Sequence, residues 1–179
     1  MSDPARLDGK LAIVTGGGSG IGKATAKVFS EAGATVVVTG RRPEPLELVA
    51  KEIGGHAMAC DVSDQAQVQT MFAQALQING KIDILLNNAG GPGPIAPVAE
   101  VDMEAWIQCM NINIVGAMYC LQEAAQIMGA QKSGSIINMS SLMGLQGYPM
   151  RSAYVASKFA LIGITETIAR ELGPLNVRV

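Results

Sequence analysis

Apolar residues along this chain fall into two alternating patterns. Short runs dominated by aliphatic residues at 11–15, 35–39, 82–86 and 135–139 predict buried strands, because a strand covered on both faces has no polar side to show. A shorter run at 56–59 and a last one beginning at Val177 predict two more. Between them the apolar positions recur every three or four residues, the period of a helix with one buried face. This spacing predicts helices over 20–32, stopped by Gly33, and over 43–53, with Pro43 in the first turn and Gly54-Gly55 behind. Further helices are predicted from an N-cap at Ser63 to Asn79, over 103–128 and over 151–172. Residues 91–97 hold Pro92, Pro94 and Pro97 and read as loop. Strands alternating with helices of this length imply an α/β fold, with one parallel sheet and right-handed crossovers.

Composition narrows the class. The chain has 179 residues, 49% of them apolar, and a mean hydropathy of +0.28. That is one domain by length, with enough apolar material for a sizeable core. No apolar run approaches the ~18 residues of a membrane span, so the apolar residues belong inside the fold and no membrane partner is expected. A net charge of −2 without a basic cluster argues against a nucleic-acid partner. The first ten residues contain no apolar signal region. Cys60, Cys109 and Cys120 are odd in number and share no metal-ligand spacing. The expectation is therefore reduced thiols in the cytoplasm and no metal site.

The turn after the first strand carries the first chemical signal. Thr15-Gly16-Gly17-Gly18-Ser19-Gly20-Ile21-Gly22 joins a buried strand to a helix start. Glycines there let backbone N–H groups approach a pyrophosphate, and the positive end of the helix favours its charge. The spacing departs from G-x-G-x-x-G and resembles the Thr-Gly-x-x-x-Gly-x-Gly turn of the classical short-chain dehydrogenase/reductase family. Three more motifs extend the resemblance in the family's order. They are Asn87-Asn88-Ala89-Gly90, then Asn113 within Asn111-Ile-Asn113-Ile-Val-Gly116, then Ser141 with Tyr154 and Lys158 thirteen and seventeen residues later. The resemblance implies a Rossmann-like, doubly wound parallel sheet in three αβα layers, a single domain over 1–179. It implies cofactor contacts from Gly16, Gly18, Ser19, Gly20, Ile21 and Gly22, and from Asp61 and Val62 at the adenine. Asn88, Ala89 and Gly90 would steady the sheet and border the nicotinamide ribose.

The end of the second strand decides between cofactors. In NAD-preferring members an acid there bonds the ribose 2′-OH, whereas an arginine accommodates a 2′-phosphate. Gly40 stands in that place here, followed by Arg41 and Arg42. No carboxylate remains to repel a phosphate, and two guanidiniums could hold it bidentately. NADP(H) is therefore expected over NAD(H). The alternative leaves one or both arginines solvated.

Tyr154 and Lys158 stand one helical turn apart, so phenol and ammonium share a face. A phenol with an ordinary pKa of about 10 is a poor base at neutral pH. An ammonium about 4 Å away contributes up to ~4 kcal/mol at an effective dielectric near 20, enough to bring a phenol into the range of a general acid/base. The resemblance implies that Tyr154 is that acid/base and that Lys158 also grips the nicotinamide ribose. By the same resemblance Ser141 bonds the substrate oxygen, and Asn113 holds a water linking Lys158 to solvent. Ser140 is set aside, because the family places its serine thirteen residues before the tyrosine. The implied reaction moves a hydride between NADP(H) and a small secondary alcohol, ketone or aldehyde.

Other residues carry less. His56 reads as structural and Trp106 as packing, while Met139, Met143 and Met150 either line an apolar pocket or fill core. Arg151 reads as an exposed helix-start arginine, with contact to an anionic substrate as the alternative. The resemblance also implies a homodimer or homotetramer through the helices over 103–128 and 151–172. Ala153, Ala156, Ala160 and Gly163 would let helices approach closely. Family members continue past the sixth strand with a Pro-Gly segment, a helical lid and a last strand, so the chain is expected to be a fragment truncated within that strand. The non-enzymatic alternative is a truncated, inactive nucleotide-binding relative that acts through association. Sugar epimerases and enoyl reductases of the family fit less well, since they space the glycine turn or the Tyr–Lys pair differently.

Overall fold

Strands form where the aliphatic runs are, and they share one sheet. The computed structural model describes residues 6–179; residues 1–5, where the stretch read as free of a signal region begins, lie outside the described residues. The strands are β1 (Leu11–Thr15), β2 (Thr35–Gly40), β3 (His56–Ala59), β4 (Ile84–Asn87), β5 (Gly134–Asn138) and β6 (Val177–Arg178). All pair in parallel, in the order β3-β2-β1-β4-β5-β6. The helices are α1 (Gly20–Glu31), α2 (Pro43–Ile53), α3 (Gln65–Asn79), α4 (Met103–Met110), α5 (Gly116–Gln131) and α6 (Ser152–Leu172).

The two faces of β1 explain why it reads as apolar throughout. Leu11 and Ile13 enter a core with Phe72 of α3 and Leu121 and Met128 of α5. Ala12 and Val14 enter a second core with Ala26 of α1 and Leu46 and Val49 of α2. Each face needs its own apolar set, so no polar alternation survives. The second face is covered mainly over β1 and β2; farther along, Ile137 of β5 is 42% exposed. Because the strand order reverses between β1 and β4, their carboxyl ends diverge. In open α/β sheets that divergence is where ligands bind. A chain of amides ties the layers there: Asn87 donates to the Ala117 carbonyl and to Asn138, and Asn138 donates to the Thr165 hydroxyl.

The structure departs from the sequence expectations at several boundaries. Asp64, not Ser63, caps α3, its carboxylate accepting from the Gln67 N–H. Ser63 instead donates to Asp61. Strand β4 begins at Ile84 because the Ile82 N–H is taken by the Gln131 side chain rather than by a neighbouring strand. The expected helix over 103–128 is two helices joined by a π-helical turn at Asn111–Val115. Its backbone stays in the right-handed region, so the apolar spacing passes through it unmarked. Ser152 rather than Arg151 starts α6, and a 3₁₀ turn at Leu142–Gly144 lies between β5 and α6. Among the described residues no helix is long and apolar enough to cross a membrane, and no cluster of metal-ligating side chains occurs.

Candidate active site

The glycine turn is built by close contact. Gly16 adopts φ +66°, and Gly17 donates its N–H to the Thr39 carbonyl at 3.1 Å. A Cβ on Gly17 would lie 2.7 Å from the Cβ of Val38, so β2 itself demands glycine there. A Cβ on Gly22 would collide with the Gly16 carbonyl and lie 2.7 Å from the Asn88 amide nitrogen. Asn88 locks the turn to β4 by donating to the carbonyls of Thr15 and Gly16. The Thr15 hydroxyl accepts the N–H groups of both Asn88 and Ala89 at 2.9 Å. Ser19 precedes α1 without a side-chain cap, and the first turn holds no acid. The leading N–H groups of α1 are thus left to a ligand, in a field that favours an anion.

A cleft of about 480 Å³ opens above this turn. Of the expected cofactor residues, Gly16, Gly18, Arg41, Arg42, Asp61, Val62, Ala89 and Gly90 line it. Gly22 and Asn88 stand behind the lining as supports; Ser19, Gly20 and the exposed Ile21 lie beyond it. Sequence reasoning missed Pro45, Leu46, Cys60 and Ile112 as lining residues. The available signal was positional, since each lies just after a strand's carboxyl end or on a helix facing it. Arg41 and Arg42 are exposed, and among the described residues neither forms an ion pair. Cys60 is buried in the cleft wall, and burial pushes its thiol up to about 11.

Lys158 and Tyr154 come together as the one-turn spacing predicts. Lys158 is only 5% exposed, and its Nζ donates to the Met139 carbonyl at 2.7 Å. The same Nζ lies 5.5 Å from the centroid of the half-buried Tyr154 ring. Burial pushes the Lys158 ammonium below its ordinary value, and among the described residues no carboxylate pairs with it. Ser140 donates to the Lys158 carbonyl, so its hydroxyl straps the segment after β5 onto α6. A Cβ on Gly144 would lie 2.8 Å from that same carbonyl. Ser141 caps the 3₁₀ turn, its oxygen accepting from the Met143 N–H at 3.2 Å. The Ser141 proton remains available to donate. Neither Tyr154 nor Lys158 lines the glycine-turn cleft itself.

Asn113 sits in the π-helical turn and is 1% exposed. It accepts from the Gly91 N–H at 2.8 Å and donates to the Gly91 carbonyl and to Ser157. Its amide therefore clamps the loop after β4 to α6. The lesser expectations resolve individually. Trp106 donates to the Ser152 hydroxyl, whereas His56 is exposed on the edge strand, away from the cleft lining. Met139 packs on the second core, and Met150 is exposed with φ +64°. Ala153 is buried against Gly93 and is unavailable to a partner helix, contrary to its expected role. Gly163 has open space around it.

Known proteins share this arrangement. A family model described as short chain dehydrogenase matches residues 10–179. The chain is 40% identical over 183 residues to a 2,5-dichloro-2,5-cyclohexadiene-1,4-diol dehydrogenase of Sphingobium indicum, covering 100% of this chain and 72% of the relative. It is 38% identical to a 3-oxoacyl-[acyl-carrier-protein] reductase of Thermotoga maritima, covering 97% and 72%. Among solved structures, NAD+-bound xylitol dehydrogenase superposes with a TM-score of 0.92 at 37% identity, covering 96% of this chain and 68% of that one. Levodione reductase gives 0.95 at 30% identity, covering 97% and 70%. With sheet order, glycine turn and sequence all in agreement, the chain belongs to the short-chain dehydrogenase/reductase family, oxidoreductases of alcohol and carbonyl groups.

Proposed function

We propose that this protein interconverts a secondary alcohol and its ketone, or a primary alcohol and its aldehyde, with NADP(H), using Tyr154 as general acid/base. The observation that carries the reading is the buried Lys158 ammonium against the Tyr154 ring. A lysine this desolvated, with no carboxylate partner among the described residues, is costly to fold, and a neighbouring phenol that must release a proton gives that cost a use. The residues of the cleft fit a dinucleotide. Gly16 and Gly18 leave room for a pyrophosphate at the start of α1, and Asp61 and Val62 stand at the far wall, where an adenine would lie. When bound, the cofactor supplies the hydride chemistry.

The chain's own residues do the rest. The Ser141 hydroxyl, free to donate, holds the substrate oxygen. Tyr154 gives that oxygen a proton in reduction or removes one in oxidation, and the Lys158 charge favours the phenolate that remains. Met139 and Ser140 keep Lys158 and its helix in place. Asn113 fixes the loop beside the nicotinamide end. Its side chain is engaged with protein partners, so a water relaying protons to Lys158 would rest on its main chain.

The preference for NADP(H) rests on Gly40-Arg41-Arg42, three lining residues that carry two cations, unpaired among the described residues, and no acid at the end of β2. The NAD+ in the similar xylitol dehydrogenase belongs to that protein. Homodimer or homotetramer formation through α5 and α6 is part of the same reading, with Phe159 and Met118 exposed on them, as is a cytoplasmic location. The relatives named above are dehydrogenases and reductases, which gives the inactive alternative no support. The test is turnover of a panel of carbonyl compounds with NADPH and with NADH, for the native chain and Tyr154→Phe. The expected outcome is faster turnover with NADPH, and a loss of roughly 100-fold or more in the variant. Undiminished turnover by Tyr154→Phe would remove it as the acid/base, and equal binding of the two cofactors would remove the arginine argument.

A further inference from the structure

The positive charge around Tyr154 exceeds what proton transfer requires. Lys158 approaches the ring to 5.5 Å, and so does the guanidinium carbon of Arg151, also at 5.5 Å from the centroid. Arg151 is half-buried, yet among the described residues its side chain forms no hydrogen bond and no ion pair. It occupies the N-cap of α6, where the helix dipole is already positive, and the first turn of that helix holds no acid. A cation in that place opposes the dipole. Asp102, the N-cap of α4, turns its carboxylate onto the N–H groups of Glu104 and Ala105.

The position is held by the backbone. Met150 takes φ +64°, a conformation unfavourable for a side chain of its size, and its carbonyl accepts the Ala96 N–H at 3.1 Å. This clamp sets the direction from which Arg151 enters α6. The nearby Cys109 thiol senses the same field: burial raises it, while Lys158 and Arg151 both act in the opposite direction.

We propose that Arg151 is a specificity-determining residue that selects substrates bearing an oxyanionic group, a carboxylate or phosphate, a few bonds from the reacting carbonyl. This rests on the reading of Tyr154 as acid/base. A planar guanidinium offers paired donors that match either oxyanion. Stacked against the ring, it would place that group beside the hydroxyl where the carbonyl oxygen must sit. A neutral substrate offers those donors no charged acceptor and forgoes that interaction.

Steady-state kinetics with NADPH on matched pairs tests this. One pair is a 3-oxo acid and its methyl ester; the other is a phosphorylated ketose and its unphosphorylated parent. The charged member of at least one pair should show a kcat/KM roughly tenfold or more higher. That ratio should fall towards one in Arg151→Met, mainly through KM, and partly recover in Arg151→Lys. The pair that responds separates carboxylate from phosphate. An equal kcat/KM within both pairs, or a ratio unchanged by Arg151→Met, overturns the assignment without touching the role of Tyr154. Conversely, undiminished turnover in Tyr154→Phe sinks the acid/base reading and leaves the charge ratio to be judged by itself. Should neither pair turn over, the single tryptophan reads binding directly, because Trp106 bonds Ser152 beside Arg151. Saturable quenching by 3-oxobutanoate that weakens tenfold in Arg151→Met supports the proposal; no saturation, or the same saturation in the variant, overturns it.

Discussion

Two glycines of the first turn, two residues apart, should respond very differently to the same added methyl group. At Gly22 a Cβ would overlap the Gly16 carbonyl and lie 2.7 Å from the Asn88 amide nitrogen. Non-bonded carbon contacts relax near 3.5–4.0 Å, so Gly22→Ala forces a displacement of about 1 Å. The atoms in the way are backbone and a hydrogen-bonded amide, and neither can swing aside. Overpacking of this kind costs about 1–3 kcal/mol, and loosening the Asn88 bonds to Thr15 and Gly16 adds about 1 kcal/mol. The better helix propensity of alanine returns about 1 kcal/mol. The net loss is about 1–3 kcal/mol. At Gly20 nothing lies within 4 Å, and only φ +54° opposes a side chain. That strain is about 1–2 kcal/mol, and the stiffer unfolded chain offsets about 0.4–1 kcal/mol of it. Urea denaturation of both variants gives the comparison directly. In thermal melts each 1 kcal/mol corresponds to roughly 2–4 °C for a domain of this size. Gly22→Ala should melt several degrees below Gly20→Ala and bind NADPH more weakly than the native chain, because the Gly16 carbonyl moves. If the two variants were equally stable, or Gly22→Ala were the milder, the close-contact account of this turn would be wrong.

Two further outcomes follow from buried charge. Asp83 is 8% exposed and accepts the Leu11 N–H and the Lys10 ammonium. Burial alone would raise its carboxyl, but those donors outweigh burial and hold it below its ordinary value. Asp83→Asn should therefore cost about 2 kcal/mol at neutral pH, and the gap from the native chain should close as pH falls below about 4. A gap independent of pH would contradict the assignment. Lys158 has linkage of the same sign in a higher window and from a different cause: burial lowers its folded value, so the unfolded chain binds more protons between that value and about 10.4. Stability relative to Lys158→Met should thus rise as pH increases through that window, alongside loss of turnover in the variant. Identical pH slopes from 7 to 10 would refute it.

Much of this protein was legible in the one-dimensional pattern. Continuous aliphatic runs mark strands buried on both faces, and Pro43 with Gly54 brackets α2 at its observed ends. Tyr154 and Lys158 lie on one face because helix geometry dictates it, whatever surrounds them. The glycine turn, too, was readable, since its spacing is a local steric requirement. Tertiary structure decided what depends on partners distant in sequence. The shift of the cap from Ser63 to Asp64 is the local exception, since the Ser63 hydroxyl bonds Asp61 two residues away. The π-helical turn conserves the apolar rhythm, so only the clamp between Asn113 and Gly91 reveals what that segment does. Ala153 faces inward because Gly93 comes to meet it. Most telling is Arg151, an ordinary helix-start arginine in the sequence: its approach to the Tyr154 ring is a one-turn contact at the start of α6, but its lack of an acidic partner among the described residues shows only in the folded molecule. Short-range sterics and periodicity are written along the chain, whereas the pairing of charges and hydrogen bonds is set by which surfaces the fold brings within a few ångströms.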